Sequence, residues 1–264
     1  MKRSDDRRAY GPDLAFIHDA GFTEFSRRAA PGLLTILRRN GVPRGRVVEL
    51  GCGSGALVHA LARAGYEAIG IDQSASMIAL ARRNAPRARQ KTQRAQQKTQ
   101  RARQKTQRVR FHTASFTTTA IPRCDAIVAV GECFNYTLSA RDLPLRRLFA
   151  RARRALSPGG LLVFDALLPG PRPVVTRAWS EGKGWAVLVE TRASSRALIR
   201  RIVSHRWMAS RFRRSEEVHR LRLYPAARLE AWLTRAGFRV RVARGYGRFR
   251  LPAGNRMVFI ARRR

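Results

Sequence analysis

The sequence predicts an α/β fold: a doubly wound sheet with a terminal antiparallel strand pair, a helical N-terminal cap and an inserted antiparallel β lid. Three observations predict it. Short apolar runs of strand length alternate with stretches whose apolar residues recur at helical spacing. A glycine-rich turn, Gly51-Cys52-Gly53-Ser54-Gly55, joins the first such run to the helix that follows it. The alternation breaks over residues 170–223, where period-two stretches replace it, and resumes at Pro225.

Residues 1–10 read as disordered, and Asp13 to Leu37 as helical in two pieces, broken near Gly21 and again at Pro31-Gly32. The turn Asn40 to Gly45 leads into Val47, Val48 and Leu50, a short apolar run of the kind that makes a buried parallel strand. Ala56 to Ala64 follows as a helix with Leu57, Val58, Leu61 and Ala62 on one face. Strand, glycine turn and helix together aim backbone N–H groups and a positive dipole end at a ligand. The second strand, Glu67 to Ile71, ends at Asp72, about 20 residues past the first glycine and placed to accept hydrogen bonds from a ribose hydroxyl pair. Loop and acid together point to an adenosine-containing cofactor. Gly51-x-Gly53-x-x-Ala56 fits a dinucleotide fingerprint, but an ionised Glu49 beside a pyrophosphate would repel it.

Ser74 is an N-cap for the next helix, with Met77, Ile78 and Leu80 on its apolar side and Pro86 expected to stop or bend it. Gln90-Lys91-Thr92-Gln93-Arg94-Ala95-Gln96 then recurs, nearly unchanged, from Gln97 and from Gln104. Each copy offers one small apolar residue where a coiled-coil seam wants two, so the basic stretch 87–108 reads as a duplication in a surface loop. Val109 to Thr113 is the third strand, Asp125 to Val130 the fourth, Asp142 to Leu156 an amphipathic helix and Leu161 to Asp165 the fifth strand. Asp165 at its end is expected to face the cleft. Val187 to Val189, Leu198 to Trp207 and Val218 to Tyr224 have β character, with Ile199, Val203, His205 and Trp207 as one alternating row. Trp179, Trp185, His205, Trp207 and Arg211 are candidate substrate-facing residues of this lid. Pro225 opens the last helix, Gly237 ends it, and Phe238 to Val242 with Met257 to Ile260 form the antiparallel pair.

Glu49-x-Gly51-x-Gly53-x-Gly55 closely resembles the first motif of class I S-adenosylmethionine (SAM) methyltransferases, and Leu156-Ser157-Pro158-Gly159-Gly160 before an apolar strand resembles a second signature of that family. The resemblance covers residues 45–86, 109–166 and 224–262 and implies a Rossmann-like sheet. It divides the chain into a cap (1–44), a SAM-binding core (45–169), a β-rich lid (170–223) and the C-terminal part of the core (224–264). It implies that Glu49, Gly51, Cys52, Gly53, Gly55, Asp72, Gln73, Met77, Ser115, Phe116 and Gly131 bind SAM. Glu49 would serve the methionine end, Asp72 the ribose, and Gln73, Met77, Ser115 and Phe116 the adenine. Ser115 stands where family members often carry an acid. Tyr10, Phe16 and His18 of the cap would face the pocket.

Gly131-Glu132-Cys133-Phe134-Asn135-Tyr136, after the fourth strand, lacks the polar-Pro-Pro-aromatic motif of enzymes that methylate nucleic acid bases. It resembles the segment of small-molecule enzymes of the glycine- and sarcosine-methylating type. Glu132, Asn135 and Tyr136 are the candidate catalytic residues, Glu132 first, as a hydrogen-bond partner of the acceptor.

The chain carries a formal net charge of +37 and a pI near 12.0, a balance that ordinarily points to a polyanion partner. Lysine occurs only at positions 2, 91, 98, 105 and 183, and nearly all the rest is arginine scattered along the chain, the bias of a GC-rich genome. No apolar run of about 18 residues is present, so no membrane helix is expected. The polar start Met1 to Arg8 is followed by no signal-like apolar segment. Cys52, Cys124 and Cys133 form no C-x-x-C pair, which fits a reduced, cytoplasmic protein without a zinc site. Three functions follow. The first is methyl transfer from SAM to a nitrogen or oxygen of a small-molecule acceptor. The second is methylation of RNA or protein through the basic surface, and the third is SAM or dinucleotide binding without catalysis.

Overall fold

The structure, a computed structural model, describes residues 9–95, 109–136, 143–251 and 255–264, with side chains for all of these except 86–95. Five parallel strands form the centre of the sheet: β1 (Arg46–Leu50), β2 (Glu67–Asp72), β3 (Val109–Thr113), β4 (Cys124–Ala129) and β5 (Leu156–Leu167). The lid contributes β6 (Val174–Gly182), β7 (Trp185–Ala193), β8 (Ala197–Met208) and β9 (Arg211–Arg222). Beyond it lie β10 (Phe238–Ala243), a two-stranded ribbon of β11 (Gly245–Tyr246) and β12 (Phe249–Arg250), and β13 (Arg256–Arg263). The seven-stranded sheet runs β10-β13-β5-β4-β1-β2-β3, with β13 antiparallel to both of its neighbours.

Residue parity splits each central strand between two apolar layers. Val48, Leu50, Ile127, Leu162 and Phe164 pack against α5 (Leu143–Ala155) and α6 (Ala226–Arg235). Val47, Ala126, Val128, Leu161 and Val163 pack against α2 (Glu24–Arg39) and α3 (Ala56–Arg63). The strand order reverses between β1 and β4, so their carboxyl ends open a crevice where a ligand binds in folds of this kind.

Two expected helix breaks are absent. α2 continues through Pro31, because its buried face (Ala29, Ala30, Leu33, Ile36, Leu37) outweighs one missing N–H at an exposed position. Gly32 serves packing there: a Cβ would lie 1.8 Å from the Tyr246 carbonyl oxygen, so only glycine lets α2 reach the ribbon. α4 (Ala75–Ala95) likewise runs past Pro86. Most of the heptad repeat lies outside the described residues. Ser157 to Gly160, which the sequence places before the fifth strand, is a bulge of β5: Cys124 pairs with Leu156 and Ala126 with Leu161. Strand β6 carries no buried row in its pattern, so it was not visible in the sequence.

β6 to β9 form an antiparallel meander. The alternating row Ile199 and Trp207 is exposed, at 39% and 48%, whereas Leu198, Ile202 and Ser204 are buried. The inward face is therefore the other row, one residue out of step with the row the sequence suggested. That face packs on α1 (Pro12–Gly21) through Leu14, Ile17, Trp185, Val187 and Ile202.

Candidate active site

A cavity of about 420 Å³ lies at the crevice between β1 and β4. Glu49, Gly51, Cys52 and Gly53 line it from β1 and its loop, Asp72, Gln73 and Met77 from β2 and α4, and Phe116 from the loop after β3. Val130, Gly131, Glu132, Cys133 and Tyr136 line it after β4. The opposite wall is Tyr10, Leu14, His18 and Phe22 from the N-terminal segment and Val187, Val189, Arg200 and Ile202 from the lid.

The loop after β1 is held by hydrogen bonds to β2. Gly51 and Cys52 donate to the Ile71 carbonyl at 2.8 and 3.1 Å, and Gly53 donates to the Asp72 carboxylate at 2.9 Å. Asp72 also accepts from the Ser74 backbone at 2.8 Å, and the Ser74 hydroxyl accepts from Met77 at 3.2 Å as an N-cap. Gly51 has φ +74, and a Cβ there would lie 2.6 Å from the Cys133 sulfur. Gly131 has φ +94, and a Cβ there would meet nothing within 4 Å, so glycine keeps cavity space open that a side chain would enter. Glu49 is 2% exposed, and one of its carboxylate oxygens has no protein partner. Burial pushes Glu49 well above the usual carboxylate range, and the Asp72 charge pushes it the same way. Burial raises Asp72 as well, against the pull of the Ser74 and Gly53 N–H groups. The cavity floor thus holds two acids that a cationic ligand would relieve.

The methyltransferase domain family matches residues 22–242 of this chain. This chain belongs to that methyltransferase family. By family and fold it is a class I SAM-dependent methyltransferase. A ubiquinone biosynthesis O-methyltransferase of Nitrobacter winogradskyi is 37% identical over 75 residues, which span 28% of this chain and 26% of that relative. Among solved structures, the CcbJ methyltransferase of Streptomyces caelestis superposes with a TM-score of 0.74 at 19% identity, covering 98% of this chain and 99% of its own. The sugar N-methyltransferase KedS8 of a Streptoalloteichus species gives a TM-score of 0.71 at 20% identity, covering 97% and 96%.

The residues of this methyltransferase fit the methyl donor. Its amino group would supply a cation for the unpartnered oxygen of Glu49, and its ribose hydroxyls could donate to Asp72, whose oxygens keep lone pairs beyond the two N–H bonds. Several of the expected site residues lie away from the cavity. Ser115 is turned into its own loop, its hydroxyl 2.7 Å from that of Thr117, and does not line the cavity. Gly55 does not line it either: a Cβ there would lie 2.9 Å from Phe111, so it serves helix–strand packing. Asn135 is spent on structure. Its amide donates to the carbonyls of Leu167 and Arg222 at 2.9 and 2.7 Å and accepts from the Leu167 N–H at 2.9 Å. Asp165 holds the backbone of Gly131 and Glu132 at 2.8 and 3.0 Å instead of facing the cavity.

Glu132 does line the cavity, with φ +59, but Arg200 and Arg256 engage its two carboxylate oxygens. It therefore acts as the counter-charge that fixes two arginines, each of its oxygens already holding a guanidinium. Of the lid candidates, Trp179 and Trp207 are exposed at 67% and 48%, and Trp185 packs on α1; none of the five lines the cavity. Phe16 lies under the Arg206 guanidinium at 3.9 Å, outside the cavity.

Sequence reasoning missed Arg200, Arg256, Glu217 and His219. The signal for three of them was present. Arg200 shares the inward parity of Leu198 and Ile202, and Glu217 and His219 share that of Leu221. Polar residues on the buried row of a strand call for a partner.

Proposed function

We propose that this methyltransferase acts on a nitrogen or oxygen of a small-molecule acceptor held between the N-terminal segment and the lid. The observation that carries this is the cavity itself: about 420 Å³, walled on the acceptor side by Tyr10, Leu14, Phe22, Val187, Val189 and Ile202. A cavity of that size shared with the donor suits a compact acceptor with an apolar body. The donor supplies a sulfonium methyl group for in-line displacement. Glu49, Asp72, Gln73 and Met77 bind and orient it, and the opposing wall excludes water and aligns the acceptor, which is where most of the rate comes from in such reactions. The sugar N-methyltransferase likeness supports the same acceptor class. The finer resemblance of residues 131–136 to glycine- and sarcosine-methylating enzymes carries less, because Asn135 and Glu132 are engaged within the protein. Buried, unpaired Cys52 and Cys124 agree with a reducing, cytoplasmic setting. Among the described residues no helix is long and apolar enough to cross a membrane.

The test is transfer of label from methyl-labelled SAM to a panel of amino sugars, amino acids, simple amines and phenols, with RNA and a mixed peptide pool alongside. Label in one of the small molecules supports the reading. Label confined to RNA or peptide refutes it and favours use of the basic surface of a chain whose formal net charge is +37.

A further inference from the structure

Behind the acceptor wall lies a buried chain of three side chains, of which the sequence pointed only to Tyr136. The Tyr136 hydroxyl, at the cavity, is 3.3 Å from Nδ1 of His219. Nε2 of His219 is 2.8 Å from the Glu217 carboxylate. Glu217 also accepts from the backbone N–H groups of Tyr10 and Gly11 at 2.7 and 2.8 Å. His219 is 3% exposed and does not reach the cavity itself.

The pattern fixes the direction of every proton. Two backbone donors already converge on Glu217, so the carboxylate is an acceptor and Nε2 of His219 must carry the hydrogen. Nδ1 is then a bare acceptor, and the Tyr136 hydroxyl donates to it. Tyr10 and Arg200 also engage that hydroxyl, so a group inside the cavity reaches the phenolic oxygen by taking the place of one of them. Burial pushes the Tyr136 phenol up to about 12, so it does not ionise by itself and passes a proton only if the histidine takes one. The other groups around His219 are few. Tyr10 approaches from the N-terminal segment, with ring centroids 5.1 Å apart, and Arg200 is its direct cross-strand partner on β8. Arg200 is bound to Glu132. The segment is held under strain, because Tyr10 has φ +63 although it is not glycine.

We propose that Tyr136, His219 and Glu217 form a proton relay that accepts the proton shed by the methyl acceptor. This rests on the small-molecule methyl transfer proposed above. As the acceptor's nitrogen or oxygen lone pair forms the new bond to carbon, the C–S bond breaks and its electron pair stays on sulfur. The acceptor atom's proton passes to the Tyr136 oxygen while the Tyr136 hydroxyl proton passes to Nδ1. His219 is then an imidazolium paired with Glu217, and solvent takes the proton after product leaves. Tyr136 touches the acceptor; His219 and Glu217 are positioning residues that act through it.

The simpler role for this trio is a latch that ties Tyr10 and Gly11 to the lid. The experiment separates the two. Nitrogen-15 NMR of histidine-labelled protein, with His219→Gln to assign the signal, reads the tautomer without any substrate. The relay requires hydrogen on Nε2, and Tyr136→Phe must move the Nδ1 resonance to that of an unbonded ring nitrogen. A hydrogen on Nδ1, or an Nδ1 signal indifferent to Tyr136→Phe, overturns it. On an acceptor from the panel, Tyr136→Phe, which leaves the latch intact, should lower kcat by about 100-fold or more with KM little changed. Wild-type kcat in Tyr136→Phe would refute the relay. Failure of the whole panel with wild-type protein counts against the proposed function instead, and the tautomer, read on the free protein, is decided apart from it.

Discussion

Replacing Glu49 with Gln should move stability and cofactor affinity in opposite directions. The carboxylate is 2% exposed, one oxygen has no protein partner, and burial raises it well above the ordinary value of 4.5. In the free protein the folded state therefore keeps a proton that the unfolded chain releases above 4.5. A raised acid of this kind costs nothing below its unfolded value, and costs up to about 1.4 kcal/mol per pH unit as pH rises from there to its folded value. Glutamine removes that cost, so the free variant should gain on wild type in thermal melts as pH goes from 5 to 8. Binding should suffer, because the donor's amino group loses a charged hydrogen-bond partner worth about 1.5–3 kcal/mol, or about 10- to 150-fold in Kd. Calorimetry with S-adenosylhomocysteine in buffers of different ionisation enthalpy should show proton release in wild type and less of it in Glu49→Gln. Unchanged affinity, or wild type and variant melting with the same pH dependence, would refute the assignment of Glu49 to the amino group.

Other substitutions separate structure from binding. Asn135→Ala deletes three buried hydrogen bonds and should cost about 2–4 kcal/mol of stability while S-adenosylhomocysteine affinity stays near wild type; affinity loss at an unchanged melting temperature would return Asn135 to the site. Gly51→Ala meets the Cys133 sulfur at 2.6 Å, whereas Gly131→Ala meets nothing within 4 Å. Melting should therefore fall much further for Gly51→Ala, and Gly131→Ala should show itself in ligand affinity. His18 is lowered from 6.5 to about 4 by burial, so folding excludes its proton; stability present above 6.5 is lost as pH falls towards 4, a contribution of about 3 kcal/mol. His18→Phe should flatten acid-induced unfolding in that interval, and an unaltered acid limb would contradict this.

The cofactor half of the proposed site was legible because its chemistry is local in sequence. A strand, a glycine loop and an acid at the next strand's end must lie near one another wherever the pattern occurs, and Glu49, Gly53 and Asp72 do. Met77 and Phe116 also line the cavity at positions the family resemblance supplied. The acceptor half was opaque for two physical reasons. Its wall is built from the inward row of an irregular insertion, and Arg200 and Ser204 break the apolar alternation that would have marked that row. The outward row carries Ile199 and Trp207 and so imitates a core. Ion pairing was equally invisible: that Glu132 meets Arg200 and Arg256 depends on contacts 68 and 124 residues apart. The continuous helix through Pro31 shows tertiary packing overriding local propensity.

The most direct test of the central claim is calorimetric titration of the purified chain with SAM, S-adenosylhomocysteine and NADH, at salt high enough to suppress nonspecific polyanion contacts. The account predicts one site for SAM and its demethylated product at about micromolar Kd, weakened by Glu49→Gln, and no heat from NADH. Binding of NADH alone, or of neither SAM nor its product, would contradict it.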